Sequence, residues 1–254
     1  MAKKTSTDDG ALYRAYKFRL DPNQAQKAKL MQCVGAARYT YNLFTDHNRK
    51  VSRACAEYVD TRISEGATEV IAKAELDDIK EENPAYKYIG HFEYGKRYLT
   101  PERQRHEAIA QAIADGADPA VVWPETERSS EPWMHTIDRR VLVSGIKNAH
   151  AAWGNYFESL KGLRAGPRMG VPRFKRKGIS HDSFTVDRDP RNDELGGYGT
   201  PYKKGTPEYA RRTAQLKRRG IKTIPTIEDY RHVRLASLGV IRTHNSTKPL
   251  VKAV

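Results

Sequence analysis

Hydrophobic and polar residues change their rhythm several times along this 254-residue chain. Residues 13–20 (YRAYKFRL) alternate, with Tyr16, Phe18 and Leu20 to one side and Lys17 and Arg19 to the other, which is the period of a half-buried strand. Asp21-Pro22-Asn23-Gln24 then reads as a helix start, with Asp21 as N-cap, Pro22 at the first helical position and Gln24 three residues past the cap. Leu30, Val34, Ala37, Tyr41 and Phe44 follow at spacings of three and four, a stripe that faces a core. Arg38, Asn42 and Arg49 lie off that stripe, free to face a partner.

Helical patterns continue through the middle of the chain. Residues 67–83 are acidic and helical, stopped by Asn83-Pro84. Thr100-Pro101-Glu102 opens another helix, which runs to Asp115 and ends at Gly116. Residues 117–133 read as a loop rich in Pro, Ser and Glu. A long helix then carries Leu142, Ile146, Ala149, Trp153, Phe157 and Leu160, and Gly162 closes it. After that the rhythm is lost, because Gly166, Pro167, Gly170 and Pro172 forbid a helix. Short strands are expected at 171–175 and 183–186, a polar loop at 187–205 and a basic helix at 207–219. Two more strands, 233–235 and 240–243, flank a Leu238-Gly239 turn. The expected class is α+β, one β unit interrupted by a helical domain. Its parts are a first strand within 11–22, helices over 23–162, and a basic β-rich remainder over 163–254 with an insertion near 187–225.

Composition narrows the function. Apolar residues are 38% and charged residues 30% of the chain, which implies a thin core and much solvated or ligand-facing surface. The first ten residues are polar, and no apolar run is long enough to span a bilayer, so a cytoplasmic protein is expected. Cys33 and Cys55 lack the spacing of a disulfide framework or a zinc site and read as reduced, small hydrophobes. The charge is lopsided. Residues 1–160 hold 23 Lys/Arg against 23 Asp/Glu, whereas 161–254 hold 22 against 8, the whole of the +14. Residues 161–178 (KGLRAGPRMGVPRFKRKG) hold seven cations, no carboxylate and one aromatic, Phe174. Such a field concentrates polyanions and favours phosphate backbones.

The candidate phosphate contacts are Arg168, Arg173, Lys175, Arg176 and Lys177. As a strand, this segment would put Arg173, Lys175 and Lys177 on one face and Arg176 with Phe174 on the other, Phe174 anchoring it in the core. Lys17 and Arg19 either extend that surface or merely decorate their strand. Arg38, Tyr39 and Asn42 are candidates for base or backbone contacts, whereas Tyr41 reads as core. Arg211, Arg212, Lys217, Arg218 and Arg219 form a second cluster, either a nucleic-acid track or a solvated helix face. His150 and Trp153 are explained by packing. Asp187, Asp189 and Asp193 sit in a Gly/Pro-rich stretch with no strand to fix them, so neither a metal site nor a cofactor is expected.

Three segments in order carry a family resemblance. They are residues 16–44 (YKFRLDPNQAQKAKLMQCVGAARYTYNLF), Gly170-Val171-Pro172-Arg173-Phe174-Lys175-Arg176-Lys177-Gly178 followed by Asp182-Ser183-Phe184, and residues 233–242 (VRLASLGVIR). Together they resemble the transposon-encoded RNA-guided nucleases of the OrfB/TnpB family. The resemblance implies a wedge-like, oligonucleotide-binding-type β-barrel with an inserted helical recognition domain, a guide RNA and target or transposon-end DNA as partners, and a place at the nucleoid. It also implies a RuvC-like nuclease domain and a zinc ribbon beyond the region matched here, so these residues are expected to bind and not to cut. Two alternatives stay open, a stand-alone helix-turn-helix repressor using residues 22–44 and an active transposase or nuclease.

Overall fold

A computed structural model describes residues 4–6, 12–14, 17–124, 131–186, 207, 211, 226–235 and 238–245. In chain order the strands and helices are β1 (Lys4–Ser6), β2 (Leu12–Arg14), β3 (Leu20–Asp21), α1 (Gln24–Ser64), α2 (Glu69–Glu82), α3 (His91–Tyr94), α4 (Thr100–Ala114), α5 (Pro119–Val122), α6 (Arg139–Leu160), β4 (Thr226–Asp229), β5 (His232–Leu235) and β6 (Gly239–Thr243). The chain divides into two units, Met1–Met31 with Asp187–Val254, and Gln32–Val186.

In the first unit, an antiparallel sheet runs in the order β3-β6-β5-β4. Leu20 pairs with Thr243 and Asp21 with Arg242, so the start and the end of the chain share one sheet. The His244 amide donates to the Arg19 carbonyl at 2.7 Å, continuing that edge. Ile241, Thr243 and Val233 are its buried side chains. The strands expected at 233–235 and 240–243 are present, and Gly239, at φ +76°, supplies the left-handed conformation that turns one into the other. β4 is an addition that no alternation announced. The sheet is open, with β3 and β4 as its outer strands, and among the described residues it does not close into the expected barrel.

The single strand expected over 13–20 is broken. β2 pairs with β1 and β3 pairs with β6, and residues 17–19 before β3 belong to no strand. The helix start is likewise displaced. Asn23 Oδ1 accepts from the Gln26 amide at 2.9 Å, and Gln26 Oε1 accepts from the Asn23 amide at 3.0 Å. This is a capping box two residues later than Asp21, which pairing with Arg242 keeps in β3. Gln26 also donates from Nε2 to the Val240 carbonyl at 2.6 Å, tying the first turn of α1 to β6.

The second unit is helical. The buried residues of α1 include Cys33, Ala37, Thr40, Phe44, Asn48 and Val51, again spaced by threes and fours. The expected stripe is right at Ala37, Tyr41 and Phe44, while Leu30 and Val34 are only half-buried. Against it lies α6, which buries Leu142, Ile146, Ala149 and Trp153 as expected. The two helices cross at Gly145, where a Cβ would stand 2.2 Å from the Ala37 carbonyl oxygen and 2.2 Å from Thr40 Oγ1. Thr40 also donates to the Leu142 carbonyl at 2.8 Å, so hydrogen bonding replaces side-chain packing where the backbones meet.

α2 starts after a Thr68 cap and stops at Asn83, as the Asn-Pro pair required. Thr100 does not open a helix. The chain is already helical from His91, and a π turn over Gly95–Leu99 leads directly into α4. Pro101 has no N–H to give, and the Thr100 amide reaches back to the Gly95 carbonyl, which accommodates the missing bond. The stretch 117–133 is not all loop. It holds α5, capped by Asp118, and a buried Trp123 packed edge-on against His106 at 4.8 Å. Among the described residues, no helix is long and apolar enough to cross a membrane.

Candidate nucleic-acid interface

The Gly/Pro-rich segment 163–186 forms no strand, so the β structure expected at 171–175 and 183–186 is absent. A segment without a ladder must satisfy its backbone groups elsewhere, and here the helices supply them. Asn42 on α1 donates from Nδ2 to the Lys175 carbonyl at 2.9 Å and accepts the Lys175 amide on Oδ1 at 2.8 Å. One turn of helix and more further on, Arg49 donates from Nε and Nη2 to the Pro172 carbonyl at 3.1 and 3.0 Å. Pro172 itself is buried. Arg38 forms an ion pair with Asp182 at 2.8 Å. From α6, Ser144 Oγ accepts the Thr185 amide at 3.3 Å and Ser159 Oγ accepts the Met169 amide at 2.8 Å. The segment adds one turn of its own, in which the Ile179 and Ser180 amides donate to the Arg176 carbonyl, with Gly178 at φ +77°.

Arg38, Asn42 and Arg49, expected to be free for a partner, are therefore the pegs on which the basic segment hangs. Their partners lie 123 to 144 residues away, and no local pattern could announce them. One clue was present in the sequence. Asn42 is a poor helix former in the middle of a long helix beside the core stripe, and such a residue usually has a backbone to serve. Ser144 and Ser159 carry no comparable signal in the sequence.

The alternation expected for the cations is corrected in the same way. Lys175 does not share a face with Arg173. It folds inward with Nζ 4.7 Å from the centroid of the Tyr41 ring. Burial lowers its pKa, Asp182 works against that shift and Arg38 reinforces it. Phe174 is not a core anchor. It is 41% exposed, with the Arg49 guanidinium 4.8 Å from its ring centroid. Arg168, Arg173, Arg176 and Lys177 are exposed, and among the described residues none of the four is paired with a carboxylate.

The other candidates are placed as follows. Tyr39 packs edge-on against Trp133 at 5.4 Å, and Tyr41 is buried. Lys17 and Arg19 are exposed in the unit that contains the sheet. Arg211 is exposed, whereas Arg212, Lys217, Arg218 and Arg219, with Asp187, Asp189 and Asp193, fall outside the described residues. Trp153 is buried, as expected, and His150 packs against Phe44 and His91 with ring centroids 6.1 and 4.9 Å away. Cys33 and Cys55 form no disulfide among the described residues. Among the described residues, no group of three or more His, Cys, Asp or Glu is placed to hold a metal ion.

Known proteins show two similarities to this chain. A helix-turn-helix domain model of the OrfB/IS605 type matches residues 12–51. In the structure that stretch comprises β2, β3 and the first part of α1, and from Gln24 onward it is one uninterrupted helix. Two proteins from strains CDC 1551 and H37Rv of Mycobacterium tuberculosis, each named a "putative RNA-guided DNA endonuclease", are 27% identical to the chain over 228 residues. The match takes in 87% of this chain and 40% of each relative, so the chain spans less than half of their length. Residues 12–51 thus match the OrfB-type helix-turn-helix model, and the chain is similar to proteins named for RNA-guided DNA cleavage.

Proposed function

We propose that the chain grips nucleic acid through the pinned basic segment, holding a guide RNA and the DNA it addresses as the binding part of an OrfB/TnpB-type RNA-guided nuclease. The observation that carries this reading is the pairing state of Arg168, Arg173, Arg176 and Lys177. They are exposed and, among the described residues, have no carboxylate partner, on a backbone that Asn42 and Arg49 hold in place. Solvated surface cations on this protein commonly have an acid three or four residues away, as Lys73 has Glu69 and Arg97 has Glu93. The four on the segment do not. Because the backbone is already ordered, only side-chain entropy remains to be lost when they meet phosphates. Arg presents a fork and Lys a point charge, and both suit a phosphodiester chain.

In this reading the small sheet is the wedge-like unit and the helices are the recognition lobe. Lys17, Arg19 and Arg211, exposed in the unit that contains the sheet, are further candidate contacts to nucleic acid. The described residues are assigned binding and not cleavage. The test is a titration of fluorescently labelled single-stranded RNA with the purified chain and with a variant carrying Arg168→Ala, Arg173→Ala, Arg176→Ala and Lys177→Ala. The variant is expected to bind at least tenfold more weakly while keeping its thermal midpoint. Equal affinity for both proteins would overturn the assignment. Cutting of labelled DNA by the purified chain with Mg²⁺ would overturn the restriction to binding.

A further inference from the structure

Phe174 is the unusual member of the segment. Aromatic rings this large are normally buried, yet this one is 41% exposed in the middle of an exposed basic run. Its position is not loose. Asn42 fixes the backbone of the next residue, Lys175, through both its amide and its carbonyl. Arg49 holds the carbonyl of Pro172 two residues earlier, and the same guanidinium lies 4.8 Å from the ring centroid. Phe174 is thus clamped from both sides along the chain. Apart from Arg49, it has no ring or cation partner among the described residues. Arg173, Arg176 and Lys177, all exposed, are its neighbours in sequence.

A flat apolar face held rigidly among uncompensated cations is the combination that proteins use to bind single strands, where the cations follow phosphates and the ring receives a base. A duplex interior offers no free base face to such a ring. We propose that Phe174 is a stacking platform for an unpaired base, with Arg49 supporting it, and that the segment therefore prefers single-stranded RNA to duplex of equal length. This rests on the nucleic-acid reading above and adds a base-recognising element to its phosphate contacts.

The experiment uses the full chain and three 12-nucleotide probes: a mixed-sequence single-stranded RNA with one central 2-aminopurine, its duplex, and a strand of the same charge with abasic sites at its centre. The variants are Phe174→Ala and Phe174→Leu. The leucine retains an apolar side chain beneath Arg49 but has no ring face. Both variants are expected to lose about 5- to 100-fold in affinity for the single strand, the range found when a stacking aromatic is removed. Both should match the wild-type chain on the abasic strand, and 2-aminopurine quenching should be seen with the wild-type chain alone. Three outcomes overturn the platform while leaving phosphate binding intact. These are Phe174→Leu equal to wild type on the intact strand, equal losses on the intact and abasic strands, or wild-type affinity for duplex equal to that for single strand. If the wild-type chain binds none of the probes, the nucleic-acid reading itself fails.

Discussion

Asn42→Ala is the most informative single substitution. It removes two hydrogen bonds, one to the Lys175 carbonyl and one from the Lys175 amide, of 2.9 and 2.8 Å. A hydrogen bond of this kind contributes about 1 kcal/mol net, and a stranded part-buried polar group costs about 1 kcal/mol or more in addition. The expected loss is about 2–3 kcal/mol in the free energy that keeps the segment docked. Since about 1.4 kcal/mol is a factor of ten, the Lys175 amide should exchange roughly 30- to 140-fold faster. Native-state hydrogen exchange at single-residue resolution reads this directly. The buried face of α1 at Phe44 and Val51 should keep its protection, because Asn42 lies off that stripe and is only half-buried. RNA affinity should fall without a change in its salt dependence, because no cation is removed. Unchanged exchange at Lys175 would refute the claim that Asn42 holds the segment.

Two more predictions concern the helical unit. Gly145→Ala places a methyl group 2.2 Å from the Ala37 carbonyl oxygen and Thr40 Oγ1, both on α1. The helices must separate, and urea denaturation should report a loss of about 3 kcal/mol, whereas Gly154→Ala, with open space around its Cβ, should be neutral or stabilising. Burial holds the Tyr94 hydroxyl well above the usual phenol range, so the folded protein keeps it neutral while the unfolded chain ionises it near about pH 10. That contribution is complete below about pH 10 and is lost as pH rises further. The thermal midpoint should drop above that pH, and Tyr94→Phe should drop less.

What the sequence could disclose depended on whether the cause was local. The Asn83-Pro84 stop, the Gly116 and Gly162 terminations and the α6 stripe all follow from residues within a few positions of the feature. The turn at Gly239 does too. The helix start failed narrowly, because Asp21 and Asn23 are both good caps and only pairing of Asp21 with Arg242 decides between them. The basic segment failed for a deeper reason. Its alternation of Arg173, Phe174 and Lys175 resembles a strand, but a strand needs a neighbour, and the backbone groups went to helix side chains instead. That exchange turned Lys175 inward against Tyr41 and left Phe174 in the open. The charge asymmetry pointed to this segment, and only the tertiary contacts could say which of its cations stay exposed.

If Arg168, Arg173, Arg176 and Lys177 meet phosphates, the salt dependence of binding must carry their signature. The most direct measurement is the slope of log binding constant against log salt concentration for single-stranded RNA, wild type against the variant with all four changed to Ala. Each phosphate contact contributes roughly −0.7 to that slope on a single strand, so the variant should be shallower by about 3. Parallel lines for the two proteins would mean that these four side chains do not contact phosphate.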